Sequence, residues 1–335
     1  MTNTPTSTDT PAVPAADILA LGEPMLEFNA DADGALENAE SFAVGYGGDT
    51  SNFLVAAARS GARAGYVTRV GDDAFGTVLT RLWGREGIGT AHVVREPGGR
   101  TGIYFIARGP AGHGFTYYRA DSPASRLAPA DVPEQAVADA RLLHVTGITQ
   151  AIGTAACDAA FHAMHVARAH GTLVTYDPNH RPALWSGDRA RAIILRSLEL
   201  CDIALPNIDE GRMLTGEESP EAVLRALRAR GPEVVVLKLG EQGALVADGD
   251  TVTRVPAHRV TAIDASGAGD TFDGAFAARL VDGASPVEAA RYAAVAAALT
   301  TTGHGAVRPI PGRTEILARL YSAGETAVAE EGTHA

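Results

Sequence analysis

The segment DASGAGDTFDGAF, residues 264–276, combines small residues and carboxylates in a pattern that could do chemistry. Gly267, Ala268 and Gly269 carry little or no side chain, so their backbone amides can approach a ligand closely. A helix that begins at this turn directs unpaired N–H groups and the positive end of its dipole toward the turn. The turn is therefore suited to bind an anion or to stabilise developing negative charge.

Asp270 lies in the first turn of this expected helix, and two interpretations of it are open. It can simply cap the helix, because Asp is common near helix starts. It can also be a general base that takes a proton from an acceptor hydroxyl while the amides hold a transferring phosphoryl group. The chain contains no G-x-x-x-x-G-K-[ST] sequence, which argues against a P-loop.

The bulk composition bounds the class of protein. A chain of 335 residues, 46% apolar and 20% charged, can build one large α/β domain with a sizeable core. Its formal net charge of −12 repels phosphate backbones and anionic lipid, so no nucleic-acid or membrane partner is expected. A small anionic substrate stays compatible with this charge, because a binding site is a local field.

The ends of the chain and its cysteines favour a reducing, cytoplasmic setting. Residues 1–16 are rich in Thr, Pro and Ser and lack the regions of a signal peptide, so we expect a disordered tail there and a flexible tail at 326–335. Cys157 and Cys201 lie far apart without metal-ligand spacing and fit two buried thiols. No apolar run reaches transmembrane length.

From about residue 140 onward, apolar strand-like segments alternate with helical ones, the strand-like segments being 141–147, 172–178, 203–207 and 234–240. This alternation predicts an α/β fold with a doubly wound, mostly parallel sheet flanked by helices. Near the start of the chain, Thr50 or Ser51 is expected to cap a helix after a glycine-rich loop. Ligands of such folds bind at the carboxyl ends of the strands.

Residues 100–119 contain two runs of β-forming residues around a Gly/Pro turn, which predicts a hairpin. The alternation of their side chains indicates a small sheet with one exposed face, as in a lid. A small sheet of this kind is marginally stable alone, so we expect a homodimer formed through the lid.

The 264–270 segment resembles the D-T-x-G-A-G-D signature of the PfkB (ribokinase-like) carbohydrate kinases. Further segments resemble other elements of that family in the same order, namely 45–76, 206–210, 238–244 and 303–311. The resemblance extends from about residue 17 to residue 320. It implies a single ribokinase-like domain at 17–325, with a β-sheet lid contributed by parts of about 23–46 and 98–120.

The resemblance also implies roles for individual residues. Asp270 would be the general base, and Gly267, Ala268 and Gly269 would form the anion hole. Asn207 and Glu210 would place Mg²⁺ through water, which suits a cation that retains its hydration shell. ATP would be bound by a wider set of residues: Asn179, Asn207, Lys238, Gly240, Gly243, Asp264, Ser266, Gly267 and Gly269.

Two segments resemble the 2-keto-3-deoxygluconate kinases within that family, FTYYRADSPASRLAP at 115–129 and DPNHRPALW at 177–185. This resemblance implies a sugar-acid substrate whose carboxylate is bound by Arg119 and Arg181, since arginine binds carboxylates bidentately. An orientation of Arg181 toward nucleotide phosphate stays open. The implied substrate contacts are Gly48, Asn52, Tyr104, Tyr117, Arg119, Arg181 and Asp270.

Two other functions remain to be weighed against a sugar-acid kinase. One is another activity of the same family, such as fructokinase, which needs no paired arginines for a neutral sugar. The other is a catalytically idle sugar-binding protein on the same fold. Asp270 and the intact Gly-Ala-Gly turn argue against the idle protein, because pure binding needs no base at that position.

Overall fold

The computed structural model describes residues 16–109 and 112–321, and strands within that part of the chain form two sheets. The strands are β1 Ile18–Leu21, β2 Met25–Asp33, β3 Phe42–Gly47, β4 Ala64–Gly71, β5 Gly89–Glu96, β6 Ile103–Gly109, β7 Gly112–Tyr118, β8 Leu142–Thr146, β9 Leu173–Asp177, β10 Ile203–Ala204, β11 Val234–Lys238, β12 Ala244–Asp248 and β13 Thr251–Val255. The expected tail at 1–16 falls almost wholly outside the described residues, and the tail at 326–335 falls entirely outside them.

The large sheet has nine strands in the order β13–β12–β11–β10–β9–β8–β1–β4–β5. The strands from β11 across to β5 are parallel, whereas β12 and β13 form an antiparallel edge. The chain runs outward from β1 to β5 on one side and later from β8 to β11 on the other. The order therefore reverses between β1 and β8, and this is where open α/β sheets form a ligand crevice.

Helices connect these strands and continue the chain after them, namely α1 Asp49–Arg59, α2 Ala74–Arg85, α3 Glu134–Asp139, α4 Gly147–Ala151, α5 Thr154–His170, α6 Gly187–Leu198, α7 Ile208–Thr215, α8 Pro220–Arg228, α9 Ala268–Val281 and α10 Pro286–Thr300. Residues 313–321 are also helical. Helices α9 and α10 pack against each other, and α9 also packs against α1.

Both faces of the large sheet are buried, which explains the nearly continuous apolar sequence of its strands. In β1, Leu19 and Leu21 join one core cluster with residues of α5, α6 and α8. Ile18 and Ala20 point the other way and join a second cluster with residues of α1, α2 and α9. Successive side chains of a strand alternate between faces, so four consecutive apolar residues are required here.

The small sheet has the order β3–β2–β6–β7, in which β2 and β6 are parallel and the outer pairs are antiparallel. One of its faces packs on α2 through Phe28, whose ring stacks on Phe105 at 5.2 Å and meets Phe75 edge-on at 5.9 Å. The other face carries Glu27 and Tyr104, which are directly paired across β2 and β6. The sheet therefore presents polar groups on the face opposite to its aromatic contact with the domain.

The predicted doubly wound, mostly parallel sheet with a small second sheet is confirmed. The expected cap of α1 is wrong: Gly48 occupies that position with φ +91°, and Thr50 and Ser51 are already helical. A glycine is favoured there because the left-handed backbone region penalises any side chain. Among residues 16–109 and 112–321, no helix is long and apolar enough to cross a membrane.

Candidate active site

The candidate site lies where the loops that follow β1, β9 and β11 meet the N-termini of α1 and α9. Hydrogen bonds join these segments across long stretches of sequence. Asn52 Nδ2 donates to Asp270 Oδ2 at 2.8 Å, and Lys238 Nζ donates to the carboxylate of Asp273 at 3.0 Å. The fold therefore assembles one polar region from residues that are 218 positions apart in one pair and 35 in the other.

The turn formed by Gly267, Ala268 and Gly269 begins α9 as the sequence predicts. Gly267 is the cap residue with φ +72°, and a Cβ atom there would lie 2.7 Å from the carbonyl oxygen of Ala306. Asp264 braces the turn, since its Oδ1 accepts from the N–H of Ser266 and its Oδ2 from that of Gly305, both at 2.9 Å. The carboxylate of Asp264 therefore serves the backbone of the turn.

Asp270 is partly buried in the first turn of α9 and accepts the hydrogen bond from Asn52. Burial, together with the negative charges of Asp49 and Asp177, raises the pKa of Asp270 to about 7. The hydrogen bond from Asn52 and the positive charge of Arg181 act in the opposite direction. A carboxyl group with this pKa can accept and release a proton near neutral pH, which is what a general base needs.

Asp49 is a buried carboxylate of the site that the sequence reasoning missed. Its Oδ1 accepts from the N–H of Thr50 at 2.8 Å and its Oδ2 from Asn179 Nδ2 at 3.3 Å. Burial raises the pKa of Asp49, while the positive charges of Arg119 and Arg181 lower it. Its position directly after Gly47-Gly48, at a helix start, was the available signal, but capping explains such an aspartate equally well.

Asn179 belongs to the loop that follows β9 and is buried with a positive φ of 35°. Its N–H donates to Asp177 Oδ1 at 3.0 Å, so the residue is held on both its backbone and its side chain. Non-glycine residues rarely adopt this conformation, and the surrounding bonds maintain it. The amide side chain is thereby directed to Asp49 rather than left free for a nucleotide.

Lys238 directs its ammonium into a buried pair of carboxylates. Nζ lies 3.0 Å from both oxygens of Asp273 and 3.2 Å from Asp177 Oδ2. Burial raises the pKa of Asp273 well above its ordinary value. Burial also acts to raise the pKa of Asp177, but the charge of Lys238 and the hydrogen bonds to Asp177 outweigh it, so that pKa is lowered. The lysine predicted to contact ATP is thus engaged by the protein itself.

The loop after Lys238 depends on two glycines with positive φ, Gly240 at +58° and Gly243 at +85°. The N–H of Leu239 donates to the carbonyl of Gly243 at 2.7 Å and closes a tight turn before β12. Glycine is required because side chains are strained in this backbone region.

Asn207 and Glu210 form a reciprocal capping box at the start of α7. The N–H of Glu210 donates to Asn207 Oδ1, and Glu210 Oε2 accepts from the N–H of Asn207, each at 2.9 Å. Glu210 Oε1 accepts from the N–H of His180 at 2.8 Å. Burial and the charge of Asp177 raise the pKa of Glu210 to about 7.

These contacts decide how a metal ion would be held. Within residues 16–109 and 112–321, no group of three or more His, Cys, Asp and Glu side chains is placed to bind a metal directly. Both carboxylate oxygens of Glu210 already accept backbone hydrogen bonds. Such a donor set fits a hard cation that is bound mostly by water and phosphate oxygens.

Arg119, at the end of β7, forms a buried ion pair with Glu23, which also accepts a hydrogen bond from Ser122 Oγ. The Nε of Arg119 is buried without a hydrogen-bond partner among the described residues. Its guanidinium lies 5.8 Å from the centre of the Tyr117 ring. Arg119 is therefore oriented from two sides while one of its donors stays unused.

The two predicted tyrosines stack on each other, with Tyr104 and Tyr117 ring centres 5.5 Å apart. Tyr104 is buried, and its hydroxyl donates to Glu27 Oε2 at 2.5 Å. Tyr117 is exposed. The sequence reasoning missed Glu27, because nothing in LGEPMLEF links this acid to a tyrosine far along the chain.

Arg181 follows the same loop as Asn179 and is exposed, with Nη1 donating to the carbonyl of His180 at 3.2 Å. Its positive charge acts to lower the pKa of Asp270 and of Asp49. The positive charge of Arg119 also acts on the pKa of Asp49, although the two arginines contact different partners, Glu23 for Arg119 and the carbonyl of His180 for Arg181.

Comparison with known proteins gives a consistent result. The sequence model of the pfkB family carbohydrate kinases matches residues 15–313. The chain is 36% identical to a 2-dehydro-3-deoxygluconokinase of Thermoproteus tenax, covering 91% of this chain and 94% of that protein. It is 33% identical to the enzyme so named in Bacillus subtilis, covering 95% and 99%. A fructokinase of Vibrio cholerae, solved with fructose, ADP and calcium, superposes with a TM-score of 0.81 at 28% identity and 91% and 99% coverage.

Proposed function

The chain belongs to the pfkB family of carbohydrate kinases, and on that premise we propose that it uses ATP to phosphorylate the terminal (6-) hydroxyl of 2-keto-3-deoxygluconate. This compound is the 2-dehydro-3-deoxygluconate named in the two relatives. The position of Asp270 carries the proposal: a carboxyl group with a pKa of about 7 lies beside a helix N-terminus that can hold an anion.

The proposed reaction is an in-line phosphoryl transfer. Asp270 accepts the proton of the terminal hydroxyl as that oxygen bonds to the γ-phosphorus of ATP. The bond from this phosphorus to the β–γ bridging oxygen breaks, and ADP leaves with the electron pair. The amides of the 267–269 turn and the dipole of α9 stabilise the charge on the transferring group.

Nucleotide and metal are assigned to the edge formed by the loops after β9, β10 and β11. The ADP bound by the similar Vibrio cholerae fructokinase supports nucleotide binding by this fold. Mg²⁺ would neutralise the phosphates and be bound through water near Asn207 and Glu210. Because Lys238 is engaged by two carboxylates, its loop would contact ATP through the backbone around Gly240 and Gly243. Asn179, Asp264 and Ser266 would shape the same edge.

The sugar-acid assignment depends on Arg119. Its buried, unpartnered Nε is a donor that a substrate carboxylate would satisfy, and such charge-assisted bonds are the strong ones. Arg181 would supply the second cation, with Tyr117 and the stacked Tyr104 forming a wall of the pocket. Gly48 and Asn52 would contact sugar hydroxyls.

Fructose is the competing acceptor, and the fructokinase similarity supports it. A neutral sugar offers no charge to Arg119, whose burial beside Glu23 would then serve the lid alone. A catalytically idle sugar-binding protein is the second alternative. It would give no explanation for a base with a raised pKa next to an anion-binding turn.

The proposal extends to the setting of the enzyme. We assign a small-molecule sugar acid as its partner, a homodimer through the small sheet as its assembly, and the cytoplasm as its location. The net charge of −12 supports the absence of nucleic-acid and membrane partners.

A coupled ADP-release assay with MgATP tests the proposal. The acceptors are 2-keto-3-deoxygluconate, fructose, ribose and adenosine, and the proteins are wild type, Asp270→Asn and Arg119→Ala. We expect the keto acid to give the highest kcat/KM, a loss in kcat of about 10²–10⁴ for Asp270→Asn, and a rise in KM for Arg119→Ala.

Each other outcome has a defined meaning. If a neutral sugar gives the highest kcat/KM and Arg119→Ala leaves KM unchanged, the protein is a kinase but the proposed carboxylate pocket is wrong. Turnover that survives in Asp270→Asn would reject the base. No turnover with any acceptor would favour the idle protein.

A further inference from the structure

Lys238 is the only lysine in the chain, one residue among 28 lysines and arginines. Every other basic side chain of these two types is an arginine, including all those on the surface. The one lysine is largely buried, with 14% of its side chain exposed. It lies at the end of β11, before the glycine loop that the sequence assigned to ATP.

The surroundings of Nζ are a closed cluster of charge. Asp273 Oδ1 and Oδ2 lie at 3.0 Å and Asp177 Oδ2 at 3.2 Å, and both acids are buried. We call Lys238, Asp177 and Asp273 the acid–lysine cluster. Two further titratable groups act on it electrostatically, Glu210 on Lys238 and His144 on Asp177. Burial lowers the pKa of His144 to about 3, so this imidazole is neutral.

The cluster lies directly beneath the 267–269 turn. A Cβ atom built on Gly269 would be 3.9 Å from Nζ, closer than any other heavy atom outside the turn's own helix. Asp273 follows Asp270 by one helical turn on α9, so the cluster binds the helix that carries the base. The turn itself contains no lysine, and the fold brings one to it from a distant strand.

The cluster also joins the loops around the site. Asp177 ends β9 and accepts from the N–H of Asn179, which fixes the loop leading to Arg181. The N–H of Lys238 donates to the carbonyl of Pro206 at 2.8 Å, next to the capping box of Asn207. The ammonium of Lys238 therefore connects the loop after β9 to α9, and the backbone of the same residue connects them to the segment after β10.

Lysine suits this position for a physical reason. An ammonium is a compact charge with three donors, and three carboxylate oxygens lie around it. A guanidinium is a wide planar fork that needs carboxylates in its own plane. Without the ammonium, two carboxylates would lie under a turn that has to accept an anion.

We propose that Lys238 is a positioning residue of the phosphoryl-transfer site: its buried ammonium neutralises Asp177 and Asp273 beneath the 267–269 turn and fixes the N-terminus of α9 to the loop after β9. The inference rests on the proposed phosphotransfer, but it does not depend on which sugar is the acceptor.

Lys238→Met removes the charge and keeps the length of the side chain. We expect kcat to fall about 100-fold, comparable with the loss of one oxyanion donor, while KM for the acceptor changes less than about threefold. We also expect the acidic limb of the kcat–pH profile to move upward, by roughly one unit. The reason is that Asp177 raises the pKa of Asp270 and would lose the ammonium that neutralises its charge, whereas Asp49, Asn52 and Arg181 would be unchanged.

Arg69→Met is the matched control, because Arg69 also bridges two acids, Glu96 and Asp131, at 2.8 Å each, away from the site. Both variants should lower the melting temperature, but Arg69→Met should leave kcat and the pH profile unchanged. Lys238→Arg retains the charge and should retain the acidic limb. If Lys238→Met behaves like Arg69→Met in kcat and pH profile, the proposal is wrong.

A measurement on the wild-type protein covers the case in which Lys238→Met does not fold. Protein labelled with ¹³C at lysine Cε gives a single lysine signal, because the chain has one lysine. An exposed lysine titrates at about pH 10.4, and we expect this signal to show no titration there. It should shift with Mg²⁺ and a β,γ-imido analogue of ATP, but not with adenosine.

A signal that titrates like an exposed amine, or that responds equally to adenosine and the analogue, would overturn the proposal. The labelled protein also separates the two proposals of function. If 2-keto-3-deoxygluconate gives no turnover but the signal responds to the analogue, the substrate assignment fails and the role of Lys238 stands.

Discussion

The surroundings of Asp270 disfavour its ionised form, because the side chain is partly buried and the negative charges of Asp49 and Asp177 act on it. The same features that give the base a pKa of about 7 make its charged form unfavourable in the folded protein. A residue adapted for proton transfer near neutral pH therefore reduces stability there. This trade-off can be measured.

Asp270→Asn should stabilise the protein at pH 8 and have much less effect at pH 5. The pKa of Asp270 is higher in the folded protein than in the unfolded chain. The protonated carboxyl group therefore makes its full favourable contribution to the free energy of unfolding only below the pKa of the unfolded chain. That contribution is lost as the pH rises through about 7. Asparagine keeps a group for Asn52 to bond and removes the ionisation. The free energy of unfolding from urea titrations at the two pH values measures the difference.

Asn52→Ala serves as the control for the lost hydrogen bond, since it should destabilise at both pH values by about 1 kcal/mol. If Asp270→Asn changes stability equally at pH 5 and pH 8, the raised pKa of Asp270 is not a property of the folded protein. The kcat of wild type should then also fail to fall below pH 7.

Individual residues show where sequence reasoning stops. Asp270 was found because its chemistry is local: the glycines before it and the helix after it are adjacent in the chain. The pairing of Glu23 with Arg119 is set by the folding of the small sheet onto the domain. No local sequence pattern predicts this ion pair, since glutamate and arginine have no preferred spacing along a chain.

At the level of elements, two helices begin with the same device but only one lies at the site. Asn207 with Glu210 starts α7, and Ser285 with Glu288 starts α10. The signal for the second is local in the sequence, because SPVE places a serine, a proline and a glutamate at fixed spacing. The first was assigned to metal, and the structure adds the capping role.

Asn207→Ala and Ser285→Ala should each cost about 1 kcal/mol of stability, because each removes one cap acceptor. Only Asn207→Ala should also raise the Mg²⁺ concentration needed for half-maximal activity, since Ser285 follows the C-terminal end of α9, at the other end of that helix from the 267–269 turn. Urea unfolding and an activity titration with Mg²⁺ measure the two effects. An equal Mg²⁺ response in both variants would remove Asn207 from the metal site.

Strand boundaries show a second limit of sequence at this scale. The segment 203–207 predicted a strand, and the structure retains only Ile203–Ala204 as β10. Pro206 has no N–H to donate and interrupts the regular strand, although Leu205 still bonds to Tyr176 and Asn207 still forms a bridge with Lys238. The central strand β1 has the sequence ILAL, which is a local signal, because burial on both faces demands a continuous apolar run.

The whole molecule leaves aromatic surface on one edge of the small sheet. β7 is the last strand of its sheet, and Phe115, Tyr117 and Tyr118 on it are 47%, 43% and 64% exposed. Edge strands with exposed apolar side chains invite pairing with another chain, and most proteins block them with charge or cover them. The homodimer proposed from the sequence would cover this edge.

Tyr118→Glu should convert the protein from dimer to monomer at micromolar concentration, because the charge would be buried against an apolar partner surface. Val252→Glu is the control: Val252 is 50% exposed on β13, the edge of the large sheet, and its change should leave the mass unaltered. Light scattering after size exclusion should give twice 34.6 kDa for wild type and for Val252→Glu. A wild type of monomeric mass would reject the dimer, and a dimeric Tyr118→Glu would place its interface away from β7.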